Sequence, residues 1–246
     1  MMPSTPEPVP APDERSDSPA RKVIAVLLGL CLVTVPLAAW RQHQAAAEAA
    51  SPLPDYVGRD ECAVWFVGSS SMRNWVKLQD DMSPWTTHNR SIGGATLPEL
   101  ASRFGNGTAD QAPQGIVFYA GENDIAFGRT AGEVTSDFAT FLAMKRRRYG
   151  AMPLLFISVK PSPTRWNNLP AQTAYNDAIR ALAATVPDVS FVDIVPKFLP
   201  GGKPGDFYAD DGIHLKDAGY RIWARAVRRE LRASLPKRVV NRCDSE

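Results

Sequence analysis

Residues 115–124 have the sequence GIVFYAGEND, in which an apolar run ends abruptly in a glycine and three polar residues. Short apolar runs rich in β-branched and aromatic residues are typical of strands buried on both faces, as strands are in parallel sheets. Similar runs occur at 63–67, 153–159 and 189–194, and a weaker one occurs at 87–92. The sequence therefore predicts five strands.

The intervals between these runs have the apolar spacing of helices, so that strands and helices alternate along the chain. We predict helices at 97–104, 131–149, 170–185 and 216–235. Each pair of parallel strands needs a long crossover, which is nearly always right-handed. The pattern therefore predicts an α/β domain over residues 61–246, a three-layer α/β/α sandwich with a five-stranded parallel sheet. In such sheets ligands bind beyond the carboxyl ends of the strands.

The composition is that of a globular protein with a large core. The chain has 246 residues, of which 44% are hydrophobic and 22% charged, and its net charge is +2. A nucleic-acid partner usually requires a concentrated basic face. The basic runs at 145–148 and 225–232 lie in predicted helices, where such runs are typical of solvated surfaces. We expect no nucleic-acid partner.

The N-terminal residues differ from the rest of the chain. Residues 1–22 are rich in Pro, Ser and acidic residues, which predicts a disordered cytoplasmic segment. Residues 23–40 form an uncharged apolar run that is long enough for one transmembrane helix. The positive charges before this run predict that the N-terminus lies in the cytoplasm. The alanines at 45–47 leave a cleaved signal peptide open. Residues 41–60 are expected to form a linker. The domain that follows is expected in the periplasm or outside the cell, either membrane-anchored or secreted.

Two cysteines nearly bracket the predicted domain. Cys62 precedes the first strand, and Cys243 lies three residues before the end of the chain. An exported compartment permits disulfides, so a bridge between the two is an expectation.

Polar residues follow the predicted strands, at the edge of the sheet where the fold places its site. The first strand is followed by GSSS at 68–71, the second by a Gly-Gly pair, and the third by GEND at 121–124. Acyl transfer by a serine requires a base, a carboxylate that orients the base, and donors for the developing oxyanion. Asp211 and His214 are three positions apart before the last helix, so one loop can supply both carboxylate and imidazole.

These segments, in this order, resemble the sequence blocks of the SGNH/GDSL hydrolases, a family of serine esterases and lipases with a flavodoxin-like fold. GSSS resembles the first block, NRSIGG at 89–94 the second, GENDI at 121–125 the third, and DGIHL at 211–215 the last. Ser69 departs from the family, which usually has aspartate there, although that position is not part of the triad.

The resemblance implies a Ser70-Asp211-His214 triad. It also implies an oxyanion hole formed by the backbone N–H groups of Ser70 and Gly94 and the side-chain amide of Asn123. A glycine at position 94 suits this role because no Cβ blocks the approach of substrate to the amide. The implied activity is hydrolysis of carboxylic esters of small molecules, lipids or glycans, with no metal or organic cofactor.

Neighbouring residues have alternative interpretations. Ser71 could be the nucleophile, or it could cap the following helix. Asp210 could orient His214 in place of the next aspartate. His88 lies on or beside the second predicted strand, and a histidine there usually has a structural role. Asp124 is expected to make hydrogen bonds within its loop.

The loop after the fourth strand, VKPSPTRW at 159–166, contains Lys160, Arg165 and Trp166. It is either a proline-stiffened connection or a substrate-binding wall, in which the tryptophan offers a stacking face and the arginine a charge.

Other functions remain open at this point. One is an O-acyltransferase or deacetylase that acts on a cell-envelope glycan. A second is a metal-dependent phosphoesterase, and a third is a non-catalytic glycan-binding domain. The phosphoesterase would take its ligands from Asp124, Asp210, Asp211 and His214.

Overall fold

The structure is a computed structural model that describes residues 50–54, 60–107 and 112–245, together with residues 44 and 47. The chain divides into two units, Met1–Glu48 and Ala49–Glu246. The predicted membrane segment at 23–40 lies outside the described residues. Among the helices of the described part, none has the length and apolar character needed to cross a bilayer.

The second unit alternates strands and helices. Its strands are β1 to β5, at Ala63–Gly68, Thr86–Asn89, Gly115–Tyr119, Leu154–Ile157 and Val189–Val192. Its helices are α1 to α9, at Ser70–Arg73, Leu78–Met82, Leu97–Asn106, Glu122–Ala126, Ala131–Tyr149, Leu169–Thr185, Val195–Phe198, Asp217–Ser234 and Lys237–Cys243. Short 3₁₀ turns lie at Trp166–Asn168 and Pro200–Gly202.

The five strands form one sheet in the order β2-β1-β3-β4-β5, and all pairs are parallel. Phe66 in β1, for example, pairs with Asn89 on one side and Val117 on the other. The prediction of a five-stranded parallel sheet is confirmed. The polar segments identified in the sequence follow the strands at the carboxyl edge of this sheet.

Both faces of the sheet are covered by helices, which gives the three layers. Successive residues of a strand point to opposite faces, so Val64 and Phe66 join one apolar cluster while Trp65 and Val67 join the other. The first cluster includes side chains from α1, α2, α8 and α9. The second includes side chains from α3, α5 and α6. Burial on both faces explains why the strands appear in the sequence as continuous apolar runs.

Within the predicted linker at 41–60, residues 53 and 54 pack against the domain. Leu53 is buried in the second apolar cluster, and its N–H donates to the carbonyl of Arg103 at 3.2 Å. The carbonyl of Pro54 accepts a hydrogen bond from Arg90 at 2.8 Å. A single leucine among prolines and polar residues has no periodicity that could reveal this packing.

A disulfide joins Cys62, directly before β1, to Cys243 at the end of α9. Both cysteines are buried in the first apolar cluster. The bond therefore ties the C-terminal helix to the first strand of the sheet.

Candidate active site

The candidate site lies at the point where the strand order reverses. The chain leaves β1 toward β2 on one side, and β3 later pairs with the other side of β1. Loops that follow β1 and β3 therefore diverge at this point, which is where open α/β sheets bind ligands. GSSS follows β1 and GEND follows β3.

Ser70 is the first residue of α1, in a tight turn off the end of β1. The turn is held by the N–H of Ser69, which donates to the carbonyl of Tyr119 at 3.1 Å. A Cβ at Gly68 would lie 2.3 Å from that same carbonyl oxygen, so only glycine fits there. The turn leaves the Ser70 hydroxyl 2.8 Å from Nε2 of His214.

His214 is oriented by Asp211 of the same loop. Nδ1 of His214 and Oδ2 of Asp211 are 2.5 Å apart. The other carboxylate oxygen accepts the backbone N–H groups of Ile213 and His214 at 2.8 and 2.9 Å. Burial raises the pKa of Asp211, but the hydrogen bonds from His214 and the backbone outweigh it and lower the pKa to about 2. The carboxylate is therefore ionised at neutral pH.

The loop that carries this pair is tied to the loop after β4. The Thr164 hydroxyl donates to the carbonyl of Asp211 at 2.6 Å, and its N–H donates to the carbonyl of Gly212 at 3.3 Å. These bonds fix the backbone from which both side chains project.

Asn123 and Gly94 lie on the loops that flank the serine. Asn123, in α4, is buried, and its Nδ2 donates to the carbonyl of Ala95 at 3.0 Å. Gly94 is exposed, with φ of +76°, a backbone conformation that glycine adopts without strain. The amide of Asn123 thus connects the loop after β3 to the loop after β2.

Asp124 strengthens the same connection. Its carboxylate is fully buried, and both oxygens accept the N–H of Leu97 at the start of α3 at 3.1 Å. Burial raises its pKa, which the bonds from Leu97 and the nearby Arg129 partly offset. Within the described residues, no group of three or more His, Cys, Asp or Glu side chains is arranged to hold a metal ion.

The structure also distinguishes between the alternative roles that the sequence left open for neighbouring residues. Ser71 points into the protein and accepts a hydrogen bond from Nζ of Lys160 at 3.0 Å, so it does not face His214. Asp211, rather than the exposed Asp210, is hydrogen-bonded to the imidazole. His88 lies in β2, and burial lowers its pKa.

Lys160 does not form part of a substrate-binding wall. Its side chain is fully buried and its Nζ lies 2.6 Å from Oε2 of Glu122 and 3.2 Å from the hydroxyl of Tyr119. Burial lowers the pKa of Lys160, while Glu122 acts to raise it. The interpretation of Lys160 as part of a substrate wall is wrong, since the sequence of the loop contains no sign of the acidic partner, which follows another strand.

Glu122 was missed by the sequence reasoning. Its side chain is buried, and its Oε2 also accepts the hydroxyl of Tyr119 at 2.5 Å. Arg165 places Nη1 3.4 Å from Oε1 of Glu122 and 2.9 Å from Oδ1 of Asn123. Trp166, the third predicted residue of this loop, is 37% exposed. The sequence did contain a signal, namely an acidic residue after the third strand and two basic residues after the fourth, and these two strands are neighbours in the sheet.

Residues 57–222, more than half of the chain, match the model of the GDSL-like Lipase/Acylhydrolase family. The chain belongs to this family, the GDSL/SGNH hydrolases. The family resemblance drawn from the four sequence blocks is confirmed, and with it the broad class of esterase- and lipase-like acylhydrolases. No curated protein has a matching sequence.

Three examples illustrate the solved structures of similar fold. A candidate acylhydrolase from Bacteroides fragilis is 22% identical with a TM-score of 0.64, covering 79% of this chain and 97% of its own. A GDSL-like lipase from Bacteroides thetaiotaomicron is 21% identical with a TM-score of 0.62, covering 79% and 98%. A carbohydrate esterase family 3 structure from Talaromyces cellulolyticus is 17% identical with a TM-score of 0.56, covering 69% and 95%. At these identities the similarity shows the fold.

Proposed function

We propose that this GDSL-family protein hydrolyses carboxylic esters through a Ser70 nucleophile, with His214 as general base and Asp211 as the residue that orients and stabilises the imidazole. The observation that carries the proposal is the continuous hydrogen-bonded chain from the Ser70 hydroxyl through His214 to Asp211, at 2.8 and 2.5 Å. In this arrangement Nδ1 donates its proton to the carboxylate, which leaves Nε2 free to accept the proton of serine.

The reaction follows from these positions in two halves. As the Ser70 oxygen attacks the acyl carbon, its proton passes to Nε2 of His214, and negative charge develops on the carbonyl oxygen. The N–H groups of Ser70 and Gly94 and the amide of Asn123 are the proposed donors to that oxygen. His214 then protonates the leaving alcohol, which yields an acyl-serine. A water molecule deprotonated by His214 attacks that ester and releases the acid.

The exposure of the site favours hydrolysis over acyl transfer to a sugar hydroxyl. The side chains of His214 and Asp211 are 29% and 46% exposed, so water can reach the base that must activate it. Transfer to an alcohol requires that the acceptor compete with that water. Transfer therefore requires that water be excluded from the site. This open triad does not exclude water, which favours hydrolysis.

The substrate is proposed to be a small-molecule, lipid or glycan ester. Trp166, directly after Arg165, and Phe127, directly after α4, are 37% and 70% exposed. We propose that they offer apolar faces to an acyl chain or a sugar ring. A solved structure of similar fold is described as a carbohydrate esterase, in keeping with a glycan ester. We also propose that residues 23–40 anchor the domain on the outer side of a membrane, or act as a cleaved signal peptide.

Hydrolysis of short-chain p-nitrophenyl esters by the full-length chain tests this proposal. Wild type is compared with Ser70→Ala and with Ser71→Ala, in which the same chemical change is made one residue away. We expect Ser70→Ala to lower kcat by at least about 10⁴-fold, while Ser71→Ala retains most of the activity. Activity in wild type that survives a chelator excludes the metal phosphoesterase. Activity that persists in Ser70→Ala, or is lost only in Ser71→Ala, contradicts the assignment.

A further inference from the structure

One buried carboxylate next to the proposed oxyanion hole binds two cations. Glu122 accepts Lys160 on Oε2 at 2.6 Å and faces Arg165 across 3.4 Å on Oε1. The Lys160 side chain is fully buried and that of Arg165 is 19% exposed. The carboxylate therefore gives both cations an anionic partner, which a buried charge requires if its burial is not to be costly.

The second contact of Arg165 is with the side-chain amide of Asn123. The guanidinium donates to Oδ1 at 2.9 Å, while Nδ2 on the opposite side of the amide donates to the carbonyl of Ala95 at 3.0 Å. If the amide were flipped, its NH₂ would face the guanidinium and its oxygen would face the carbonyl of Ala95. Both contacts would then be repulsive, so the pair of partners allows one orientation.

This orientation matters because only one end of the amide can serve an oxyanion. Nδ2 carries two hydrogens, and the Ala95 carbonyl takes one, which leaves one for a developing negative charge. The guanidinium on Oδ1 also draws electron density from the amide and makes that remaining N–H a better donor. Donors fixed before the reaction are worth far more than donors that must reorient during it.

We propose that Arg165 is a positioning residue for the oxyanion hole, which holds Asn123 with its N–H toward the substrate and is itself held by the Glu122-Lys160 pair. This inference rests on the proposed ester hydrolysis. It reassigns Arg165 from a contact of the substrate to a contact of the residue that binds the transition state.

The substitutions Arg165→Met and Arg165→Lys, assayed in the full-length chain, test this role. Removal of one oxyanion donor typically lowers kcat by about 10²- to 10³-fold. Loss of its positioning residue is expected to cost less, about 10- to 50-fold in kcat, with KM within about threefold of wild type. Lysine keeps one donor and the charge, so Arg165→Lys is expected to recover part of the lost kcat. Arg180→Met is the matched control, because Arg180 makes similar ion pairs with Asp177 and Asp193 on the surface.

A double-mutant cycle with Asn123→Ala separates positioning from other roles. If Arg165 acts through Asn123, Arg165→Met changes kcat by less than about twofold once the amide is absent. Equal effects of Arg165→Met in both backgrounds would overturn the inference, as would a rise in KM with kcat unchanged, which indicates contact with substrate. Wild type without Ser70-dependent turnover would instead overturn the proposed function itself, and the inference with it. Thermal unfolding of each variant shows whether a loss of kcat comes from a loss of folded protein.

Discussion

Two buried ion clusters, each of one carboxylate, one lysine and one arginine, lie at opposite edges of the sheet. At the carboxyl edge, Glu122 is paired with Lys160 and Arg165. At the amino edge, Asp188 is paired with Lys145 at 2.6 Å and with Arg146. In each cluster the lysine is fully buried and the arginine reaches the surface.

The two clusters differ in their remaining partners. The lysine at the amino edge also donates to the carbonyl of Met152 before β4, and the backbone carbonyl of Asp188 accepts the N–H of Leu154. These are contacts between a helix and the starts of two strands. The cluster at the carboxyl edge contacts Ser71, next to the proposed nucleophile, and Asn123. The same arrangement of charges therefore supports packing at one edge and, in our account, the proposed site at the other.

The largest expected effect is on stability and is shared by both clusters. Asp188→Asn and Glu122→Gln each leave a buried lysine without its carboxylate, and we expect each to lower the free energy of unfolding by about 3 kcal/mol. Urea unfolding followed by tryptophan fluorescence measures both. A loss below about 1 kcal/mol at either position would show that its cluster is not a buried charge pair in the folded protein.

The acid dependence of stability sharpens this prediction for Asp188. Hydrogen bonds from Arg146 lower the pKa of Asp188, burial opposes the shift, and Lys145 adds to it. A carboxylate whose pKa is lower when folded stabilises the protein above its unfolded pKa, about 3.9, and loses that contribution as the pH falls. The stability difference between wild type and Asp188→Asn should therefore be constant near neutral pH and shrink below about pH 4. A difference that grows toward acid pH would contradict this.

Activity is expected to distinguish the clusters. Per folded molecule, Glu122→Gln should lower kcat for ester hydrolysis by about tenfold, because Arg165 loses the anion that holds it against Asn123. Asp188→Asn should stay within about twofold of wild type. Steady-state kinetics with active-site titration measure both variants. Equal kcat values in the two variants would remove the functional difference between the edges.

The smallest effect is expected from Tyr119, whose hydroxyl donates to Glu122 at 2.5 Å. Tyr119→Phe removes the hydrogen bond to Glu122 and the longer one from Lys160, but leaves the Glu122-Lys160 ion pair in place. We therefore expect a loss of about 1 kcal/mol in stability and a change in kcat below threefold. Tyr220→Phe, which removes a bond to the carbonyl of Ser71 at 2.8 Å, is a comparable change without contact to the cluster. A larger loss of kcat from Tyr119→Phe than from Glu122→Gln would show that tyrosine, not the ion pair, organises the site.

The sheet could be predicted because its strands are buried on both faces. Their continuous apolar runs differ from the helical spacing between them, and the predicted helix at 131–149 has the bounds of α5. The short helices α2, α4, α7 and α9 were not predicted. Segments of four to seven residues have too few turns to show a period.

The candidate site was predictable where its chemistry lies within one loop. Asp211 and His214 are three positions apart in one loop, so their side chains can meet, and Nε2 of His214 lies 2.8 Å from the Ser70 hydroxyl. The contacts of Lys160 could not be predicted in this way. Its partner Glu122 lies 38 residues away and follows another strand, so only the packed sheet brings the two together.

The proposed mechanism depends on Ser70 as the nucleophile, and covalent labelling tests this role most directly. A fluorophosphonate transfers its phosphonyl group to an activated serine oxygen, with release of fluoride, and the labelled peptide can be sequenced by mass spectrometry. We predict that the full-length chain is labelled at Ser70 and that labelling is lost in Ser70→Ala but retained in Ser71→Ala. A label on another serine, or a label that persists in Ser70→Ala, would contradict the account.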